Sequence, residues 1–482
     1  RQLRQYGIEN IFINHPKDTW TDSNTPGTFD LNGSVIMGGA DALSEYIEGV
    51  GELGYGLGLH TSFHSISSTH PKWTANKSAI GSNGEPVSID ERNFLFKPST
   101  VHSEAKTHVE NLTNNFPPAI PMLADHAARP PSDFTDCDKS LKEGTSFRKN
   151  LDSQKSLLTA IASICPLYAE GGNHWLYPGI AQNYYAKMVG VNPSKIAPIL
   201  DFALGKLHEL SLDVGIGDID EYYQDEIPKS EKHSRSLYLN RYIAATLAYG
   251  HLGLLPDPTN WGIASTVKMH FIIQAIQRFY TQTPVNRIMY HKNGSFFSLG
   301  DAIVQDACQL GQIRIQYVNE TIVIVNLGDS EFSLEVGENI TILPPGGYWV
   351  EHSNSGSLSY SILDEGNRVD YARSNEYIYM DTHGNQNTIS PVTTDGAVLI
   401  KERKWEIDVI PIDSQKPVEI DVAALWPDRK LPPLRIIAFD SEDDPSNSFK
   451  AEMKGNTVIL PQLDNIFKYR IALPEWMVEP GK

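Results

Sequence analysis

Cysteine is scarce in this sequence: Cys137, Cys165 and Cys308 are the only three in 482 residues. An odd number at wide spacings indicates neither a disulfide framework nor a zinc site built from cysteines. We therefore expect three buried free thiols, each packed as a small apolar side chain.

Long apolar runs and an excess of positive charge are also missing. No stretch of about 18 apolar residues occurs, so no membrane-spanning helix is predicted. Lysine and arginine number 40 against 59 aspartates and glutamates, which gives a net charge of -19. Because phosphate binding needs clustered cations, a nucleic-acid partner is not expected. An uncharged or cationic ligand is easier to accommodate.

The first half of the sequence alternates short apolar strands with amphipathic helices. The strands read ENIFINH, YGLGLHTSFH, AIPMLADH and CPLYAEGG, and the helices between them include GGADALSEYIEGVGELG and EAKTHVENLTNNF. Strands that alternate with helices of about 10 to 15 residues predict parallel β/α units. Their number favours a (β/α)8-type barrel over residues 1–285. The sequence begins in what reads as the end of a helix, so we expect the N-terminal part of the barrel to be missing from this chain.

Beyond residue 285 the apolar residues recur with a period of two. RIQYVNETIVIVNL predicts a hairpin that turns at Asn319 and Glu320, and EFSLEVGENITILPPGGYWVEH predicts another that turns near Gly337. An antiparallel β domain is therefore expected over residues 286–412. A segment rich in proline and charge follows, and the remaining strands predict a small C-terminal β-sandwich over residues 413–482.

Side chains suited to sugar chemistry follow four of the predicted barrel strands. In a β/α barrel, catalytic groups lie at the C-terminal ends of the strands. Two of these residues, Asp125 and Glu170, are carboxylates after neighbouring strands. Glycoside hydrolysis requires one carboxyl group to protonate the leaving oxygen and another to attack the sugar or activate water. The candidates for binding the substrate are Asp18, Trp20, His60, His64, His126, Arg129, His174 and Trp175.

The carboxylates also have structural interpretations. Glu170 could cap a following helix, but glutamate is a poor N-cap, and the two glycines after it suggest a close approach of the backbone. Asp136 and Asp138 compete with Asp125, but they lie further along the loop. We expect those two to be solvated or to support the site.

The tryptophans and histidines leave further alternatives open. Trp20 and Trp175 fit a sugar platform or a hydrophobic core equally well. His60 and His64 are as consistent with binding the substrate as with structural histidines whose ring nitrogens have hydrogen-bond partners inside the protein. A divalent metal site, as in metal-dependent barrel hydrolases, could use His60, His64, His126, His174, Asp125 and Glu170. HTSFH lies at a strand end, where this histidine spacing is not diagnostic.

Four segments together resemble a known catalytic barrel: LRQYGIENIFIN, GGADALSEYIEGVGELGYGLGLHTSFHSIS, MLADHAARPPSDFTDCD and YAEGGNHWLYPG. The barrel they resemble is that of the α-N-acetylgalactosaminidases and endo-α-N-acetylgalactosaminidases, glycoside hydrolase families 129 and 101. Relatives of these enzymes include α-3,6-anhydro-D-galactosidases that act on carrageenan oligosaccharides. The resemblance covers roughly residues 1–300. NRIMYHKNGSFFSLGDAI also resembles the junction to the β domain in related bacterial glycosidases.

The resemblance implies a retaining mechanism without a cofactor. Its nucleophile is an aspartate that ends one strand, and its acid/base is a glutamate that ends the next. The matching residues are Asp125 in MLADH and Glu170 in YAEGG, while His126 stands where the family has a small apolar residue. We therefore expect a secreted or periplasmic bacterial enzyme that acts on a carbohydrate and removes N-acetylgalactosamine or 3,6-anhydrogalactose. The alternatives are a metal-dependent barrel hydrolase and a non-catalytic carbohydrate-binding protein.

Overall fold

The computed structural model of the chain separates into two compact units. It describes residues 1–15, 17–22, 29, 31–123, 126, 136–137, 146–171, 182–186, 218–223, 232–336, 339–403, 405–427, 433–446 and 452–473. Unit 1 holds Arg1 and the described residues 7–186, and unit 2 holds the described residues 2–6 and 218–473. None of the described helices is both long enough and apolar enough to cross a bilayer.

Unit 1 contains a parallel sheet whose strands follow one another in chain order. Its strands are β1 Phe12–His15, β2 Gly56–Thr61, β3 Ser65–Ser67, β4 Asn93–Leu95, β5 Ile120–Leu123, β6 Tyr168–Gly171 and β7 Gln182–Ala186. The sheet order is β1-β2-β5-β6-β7, and every pair in it is parallel, whereas β3 and β4 form a separate antiparallel pair. The helices are Lys17–Trp20, Gly39–Glu52, Pro98–Asn115 and Phe147–Ala162, with a 3-10 turn at Ala75–Lys77.

The three longer helices of unit 1 bury apolar side chains in shared cores with the strands of this sheet. Leu43, Ile47 and Val50 are spaced four and three residues apart in the helix Gly39–Glu52, so they share one face. That face is buried in one core with Leu57 and Leu59 of β2. Parallel strands in chain order under helices are the arrangement of β/α barrels. Five such strands are described, and closure into an eight-stranded barrel stays a prediction.

Unit 2 combines helices with a large number of antiparallel strands. Its helices are Gln2–Gln5, Ile219–Tyr222, Lys232–Tyr249, Pro258–Trp261, Ile263–Gln274, Gln277–Tyr280, Leu299–Val304 and Val422–Leu425. Two 3-10 turns occur at Cys308–Leu310 and Ser353–Ser355.

The first half of the strands of unit 2 includes both predicted hairpins. These strands are β8 Val285–Lys292, β9 Ser295–Phe297, β10 Gln312–Tyr317, β11 Thr321–Asn326, β12 Phe332–Val336, β13 Asn339–Leu343, β14 Tyr348–His352, β15 Ser357–Asp364, β16 Asn367–Arg373 and β17 Tyr377–Asp381. β10 pairs with β11 and β12 with β13, which confirms the two hairpins. Glu320 in the first turn has a φ of 66°, the left-handed conformation that tight turns require.

The later strands complete a two-sheet sandwich. They are β18 Asn387–Ile389, β19 Val392–Thr394, β20 Ala397–Glu402, β21 Glu406–Pro411, β22 Val418–Asp421, β23 Arg435–Phe439, β24 Pro445–Ser446, β25 Glu452–Lys454, β26 Thr457–Leu460 and β27 Lys468–Ala472. A long sheet runs from β24 to β9, and a five-stranded sheet has the order β18-β19-β22-β26-β25. Side chains from both sheets form one core.

The boundaries predicted at 285 and 412 do not coincide with this division into units. Helices between residues 232 and 280 belong to unit 2. The segment after residue 412 supplies strands to both sheets, because β27 pairs with β21 and β26 pairs with β22. In the described residues, the C-terminal strands are thus part of the larger sandwich.

The three cysteines are free, but their burial differs. Cys308 is buried, Cys165 is half-buried and Cys137 is exposed. The expectation of three buried thiols is therefore wrong for Cys137.

Candidate active site

The C-terminal ends of the parallel strands lie along one edge of the sheet in unit 1. β1 ends at His15, β2 at Thr61, β5 at Leu123 and β6 at Gly171. Thr61 is the backbone partner of Leu123, which in turn is the partner of Ala169. The segments after these strands therefore leave the sheet at a common edge, where β/α enzymes hold their catalytic groups.

The inner face of this sheet joins side chains from strands that are not neighbours. Phe12 of β1 stacks on Tyr168 of β6 with ring centroids 4.6 Å apart. β2 and β5 lie between these strands, and three steps of about 4.8 Å in a flat sheet would separate the rings by about 14 Å. The sheet is therefore strongly curled toward its inner face.

Two glycines of β2 make room inside the curl. A Cβ at Gly56 would lie 2.6 Å from Cδ2 of Phe12, and one at Gly58 would lie 2.2 Å from Cγ of Met122. The segment YGLGLH therefore has apolar residues toward the helices and no side chain at two positions toward the interior. This alternation lets large rings from β1 and β6 fill the centre beneath the candidate site.

Glu170 occupies the C-terminal half of β6. Its backbone pairs with Tyr185 of β7, after a shift of register between Ala169 and Glu170. Irregularities of this kind are frequent beside active sites because they redirect a side chain. The backbone position of Glu170 thus agrees with the strand-end position predicted for it, while its side chain lies outside the described residues.

Asp125 follows β5 in the sequence. Leu123, the last residue of β5, pairs with Ala169. Glu170 comes one residue after that pair on its strand, and Asp125 comes two residues after it on the other. Glu170 is thus part of β6, and Asp125 follows the adjacent strand β5 in the sequence. Asp125 itself lies outside the described residues.

Trp20 lies in the core of unit 1, one of the two roles predicted for it. Its side chain is 1% exposed and packs with Leu43 and Leu59. Its indole Nε1 donates a hydrogen bond of 3.0 Å to the carbonyl oxygen of His60. The tryptophan thereby fixes the end of β2, where the half-buried side chain of His60 is located.

His126 is held by hydrogen bonds on both ring nitrogens. The backbone N–H of Phe63 donates to its Nε2 at 3.0 Å, and its Nδ1 lies 3.1 Å from Oε1 of Gln154. Because Nε2 accepts, the proton of the neutral ring is on Nδ1, which donates to the amide oxygen of Gln154. His126 is fully buried, so it ties the end of β2 to the helix Phe147–Ala162.

A compact segment inserted after β2 buries His64 and was not predicted. His64 is 3% exposed, and its carbonyl oxygen accepts from the backbone N–H of Phe96 at 3.0 Å. β3 and β4 form the base of this segment. His64 is therefore a buried residue of unit 1, and the choice between its two roles stays a prediction.

Asp136 is buried, so of the two roles expected for it, solvated or supporting, the solvated one does not hold. It is 2% exposed and accepts a hydrogen bond of 2.8 Å from the backbone N–H of Ile80. The ammonium of Lys97 lies 3.8 Å from its Oδ2. Asp136 thus anchors its own segment on the insertion after β2, which is a supporting role.

His15, which was not among the predicted site residues, ends β1. Its Nδ1 is hydrogen-bonded to Oγ1 of Thr19, and its ring meets Tyr46 edge to face at 5.4 Å. Burial lowers the pKa of His15, so its ring is neutral near pH 7 and available as a hydrogen-bonding group at this edge.

The remaining candidates fall where placement is not described. Four candidates lie wholly outside the described residues: Arg129, Asp138, His174 and Trp175. Of Asp18, only the side chain lies outside them. Within the described residues, one group of three side chains is close enough to hold a metal ion, and it lies in unit 2: Asp370, Asp381 and His383. The metal alternative at the strand ends of unit 1 therefore gains no support from His60, His64 and His126.

No protein-family model matches the sequence, and a search of curated proteins gives no match. Solved structures give distant similarities. An α-N-acetylgalactosaminidase from Bifidobacterium bifidum in complex with GalNAc aligns with a TM-score of 0.46 at 10% identity, over 68% of this chain and 49% of its own. This chain thus spans about half the length of that enzyme.

Two other glycoside hydrolases align over more of the chain. An α-galactosidase from Geobacillus stearothermophilus aligns with a TM-score of 0.38 at 10% identity, over 98% of this chain and 52% of its own. A maltogenic α-amylase from Thermotoga neapolitana aligns with a TM-score of 0.33 at 10% identity, over 98% of this chain and 92% of its own. At TM-scores below 0.5, these similarities establish no activity for this chain.

Proposed function

We propose that this chain is a retaining glycoside hydrolase that cleaves α-galactoside-type bonds and releases N-acetylgalactosamine or 3,6-anhydrogalactose. One observation carries the proposal. Glu170 lies in the C-terminal half of β6, and β6 pairs in parallel with β5, the strand that Asp125 follows by two residues. Glycosidic cleavage requires two carboxyl groups, and the C-terminal ends of the strands are where a β/α barrel holds its catalytic groups.

In this mechanism the two carboxyl groups have different tasks. Glu170 donates its proton to the glycosidic oxygen as the bond to the anomeric carbon breaks, while the carboxylate of Asp125 attacks that carbon. Glu170 then takes a proton from water, which displaces Asp125 and restores both groups. Carboxyl groups about 5 to 5.5 Å apart perform this double displacement, whereas about 6.5 to 9.5 Å would indicate inversion.

The substitution Glu170→Gln tests the acid/base role. Because general acid catalysis is typically worth about 10² to 10⁴-fold, turnover of natural sugar leaving groups should fall by that factor. Nitrophenyl glycosides should lose much less, since their leaving group needs little protonation. The measurement is kcat/KM on nitrophenyl α-galactosides, nitrophenyl α-N-acetylgalactosaminides and carrageenan oligosaccharides. Glu48→Gln, at an exposed residue of the helix Gly39–Glu52, is the control and should leave both rates unchanged.

Azide and a second variant separate this mechanism from the alternatives. Azide should restore turnover of activated substrates by Glu170→Ala and give a glycosyl azide of unchanged anomeric configuration. Asp125→Asn should be inactive on every substrate, because no leaving group compensates for a missing nucleophile. Equal losses on all leaving groups for Glu170→Gln, together with inhibition by chelators, would replace this proposal by the metal-dependent hydrolase. Sugar binding without turnover would indicate a carbohydrate-binding protein.

A further inference from the structure

A buried group of charged side chains in unit 2 is unrelated to the barrel edge. Lys268 projects from the helix Ile263–Gln274, which packs on β15, β16 and β17. Its ammonium forms an ion pair with Oδ2 of Asp370, lies 3.1 Å from Oδ2 of Asp381 and lies 3.5 Å from Nε2 of His383. Lys268 is 4% exposed and Asp370 is 0% exposed. Charged groups are rarely buried this deeply unless they are paired.

The three partners of Lys268 have the chemistry and spacing of a metal site. One ligand atom each from Asp370, Asp381 and His383 lies within 4.8 Å of the other two. Carboxylate oxygen and imidazole nitrogen are common ligands of Zn²⁺ in proteins. His383 is held in place because its Nε2 lies 2.7 Å from Oδ2 of Asp370 and its backbone N–H donates to Oδ1 of Asp381 at 2.9 Å. The ammonium of Lys268 thus occupies a position that a metal ion would take.

An unpartnered hydroxyl lies in the same row of the sheet. Tyr348, Ser361, Asp370 and Asp381 are successive cross-strand partners on β14 to β17, so their side chains share one face. Tyr348 is 0% exposed, and among the described residues neither its hydroxyl nor Oδ1 of Asp370 has a hydrogen-bond partner. Buried polar atoms without partners are uncommon. This row therefore offers more polar groups than the ammonium of Lys268 satisfies.

The formal charges of the group also balance around the lysine. Arg368 lies 3.5 Å from Oδ1 of Asp370 through its Nε. The two cations Lys268 and Arg368 match the two carboxylates of Asp370 and Asp381 in number. Removing the ammonium would leave two buried carboxylates beside one guanidinium. The uncompensated negative charge would favour the binding of another cation.

We propose that Asp370, Asp381 and His383 form a cation site whose resident ion is the ammonium of Lys268, and that one divalent transition-metal ion binds there once this ammonium is removed. In the native chain, Lys268 thereby joins the helix Ile263–Gln274 to β16 and β17 without a metal. The proposal concerns unit 2 and is independent of the proposed glycosidase activity.

Two substitutions of the same lysine test this site. Lys268→Ala removes the ammonium and leaves its space, whereas Lys268→Met fills the space with an uncharged chain of similar length. After dialysis against a chelator, Co²⁺ is added and its visible absorption and binding stoichiometry are measured. Lys268→Ala should bind one Co²⁺ at least about 100-fold more tightly than Lys268→Met or the native chain. At 100 times its Kd, the metal should raise the melting temperature of Lys268→Ala by about 5 to 10 °C.

The location of the bound ion needs its own control, because the chain has 15 histidines. The double variant Lys268→Ala with His383→Ala should lose the Co²⁺ absorption. Binding that persists in the double variant, or no binding in a folded Lys268→Ala, would overturn the proposal.

The native chain provides a test that does not depend on the folding of a variant. Its melting temperature should be the same before and after dialysis against a chelator. A stoichiometric metal in the native protein that is absent from Asp370→Asn would show that a metal, and not the ammonium of Lys268, is the resident ion.

Discussion

His270 is a single residue whose burial links the stability of the chain to pH. It lies in the helix Ile263–Gln274 with its ring 4.9 Å from that of Phe271. Burial, with a smaller contribution from the charge of Lys401, lowers its pKa to about 4. In the unfolded chain the same ring titrates near about 6.5. Between these pH values the unfolded chain binds the proton and the folded chain does not. The free energy of unfolding is therefore highest above about pH 6.5 and decreases as pH falls toward 4.

We predict that His270→Gln reduces this pH dependence. The free energy of unfolding of the native chain should fall by on the order of 2 to 3 kcal/mol more than that of the variant between pH 7 and pH 4.5. Urea denaturation at the two pH values measures both. Lys401→Met removes the nearby positive charge and should weaken the dependence in part. The same pH dependence in the native chain and in His270→Gln would contradict this assignment.

Single residues of the candidate site show where sequence reasoning stops. The type and strand-end position of Glu170 could be read from YAEGG, because an acid after an apolar run is a local signal. The surroundings of His126 could not be predicted from the sequence. Its partners, Phe63 and Gln154, are 63 and 28 residues away. A histidine that binds substrate and one that joins two elements have the same local pattern, and only long-range contacts distinguish them.

Among the secondary-structure elements, β2 shows how glycine determines the shape of a sheet. We predict that Gly58→Ala is destabilising by about 1 to 3 kcal/mol, because the added Cβ would overlap Met122 and Phe12 in the interior of the curl. Gly49→Ala is the matched control. It lies in the helix Gly39–Glu52, and beyond its chain neighbours and the backbone of that helix no described atom lies within 4 Å of the added Cβ.

The control should change stability in the opposite direction. Alanine at position 49 should stabilise by about 0.5 to 1 kcal/mol, since glycine is a poor helix former. Thermal or urea denaturation of both variants measures the difference. A neutral Gly58→Ala would mean that the interior of the sheet is looser than the stacking of Phe12 on Tyr168 indicates.

Most elements of the described chain were predictable because their signals are short-ranged. The strands that begin at Phe12, Gly56, Ile120 and Tyr168 and the hairpin of β10 and β11 agree with the apolar periods. The insertion between β2 and the helix Pro98–Asn115 was missed. Its segments are held by isolated bridges, such as those of Ser78 with Phe96 and Ile80 with Pro86, and pairings of this kind leave no periodic pattern in the sequence.

At the scale of the whole molecule, the sequence indicated β structure after residue 285 but not which strands share a core. Turn signals mark where a strand ends, whereas pairing between strands far apart in the chain depends on the complete fold. β21 pairs with β27 although about 60 residues separate them. The proline-rich segment after residue 412 therefore looked like a domain boundary, while the strands beyond it enter both sheets.

This arrangement predicts the effect of ending the chain at Ile412. Ten of the twenty buried side chains in the sandwich core come from residues after 412. Burial of one such side chain contributes about 1.5 to 3 kcal/mol, and the net stability of a domain is only about 5 to 15 kcal/mol. Unit 2 should therefore not fold in the truncated chain, and its near-ultraviolet circular dichroism and cooperative melting should be lost.

Ile471→Ala is the control, because it removes part of one buried side chain and leaves the other core residues in place. It should keep cooperative melting at a lower temperature, with a loss of about 2 to 5 kcal/mol in the free energy of unfolding. A truncated chain that melts cooperatively with native β content would show that the strands after 412 form a separate domain, as the sequence pattern first suggested.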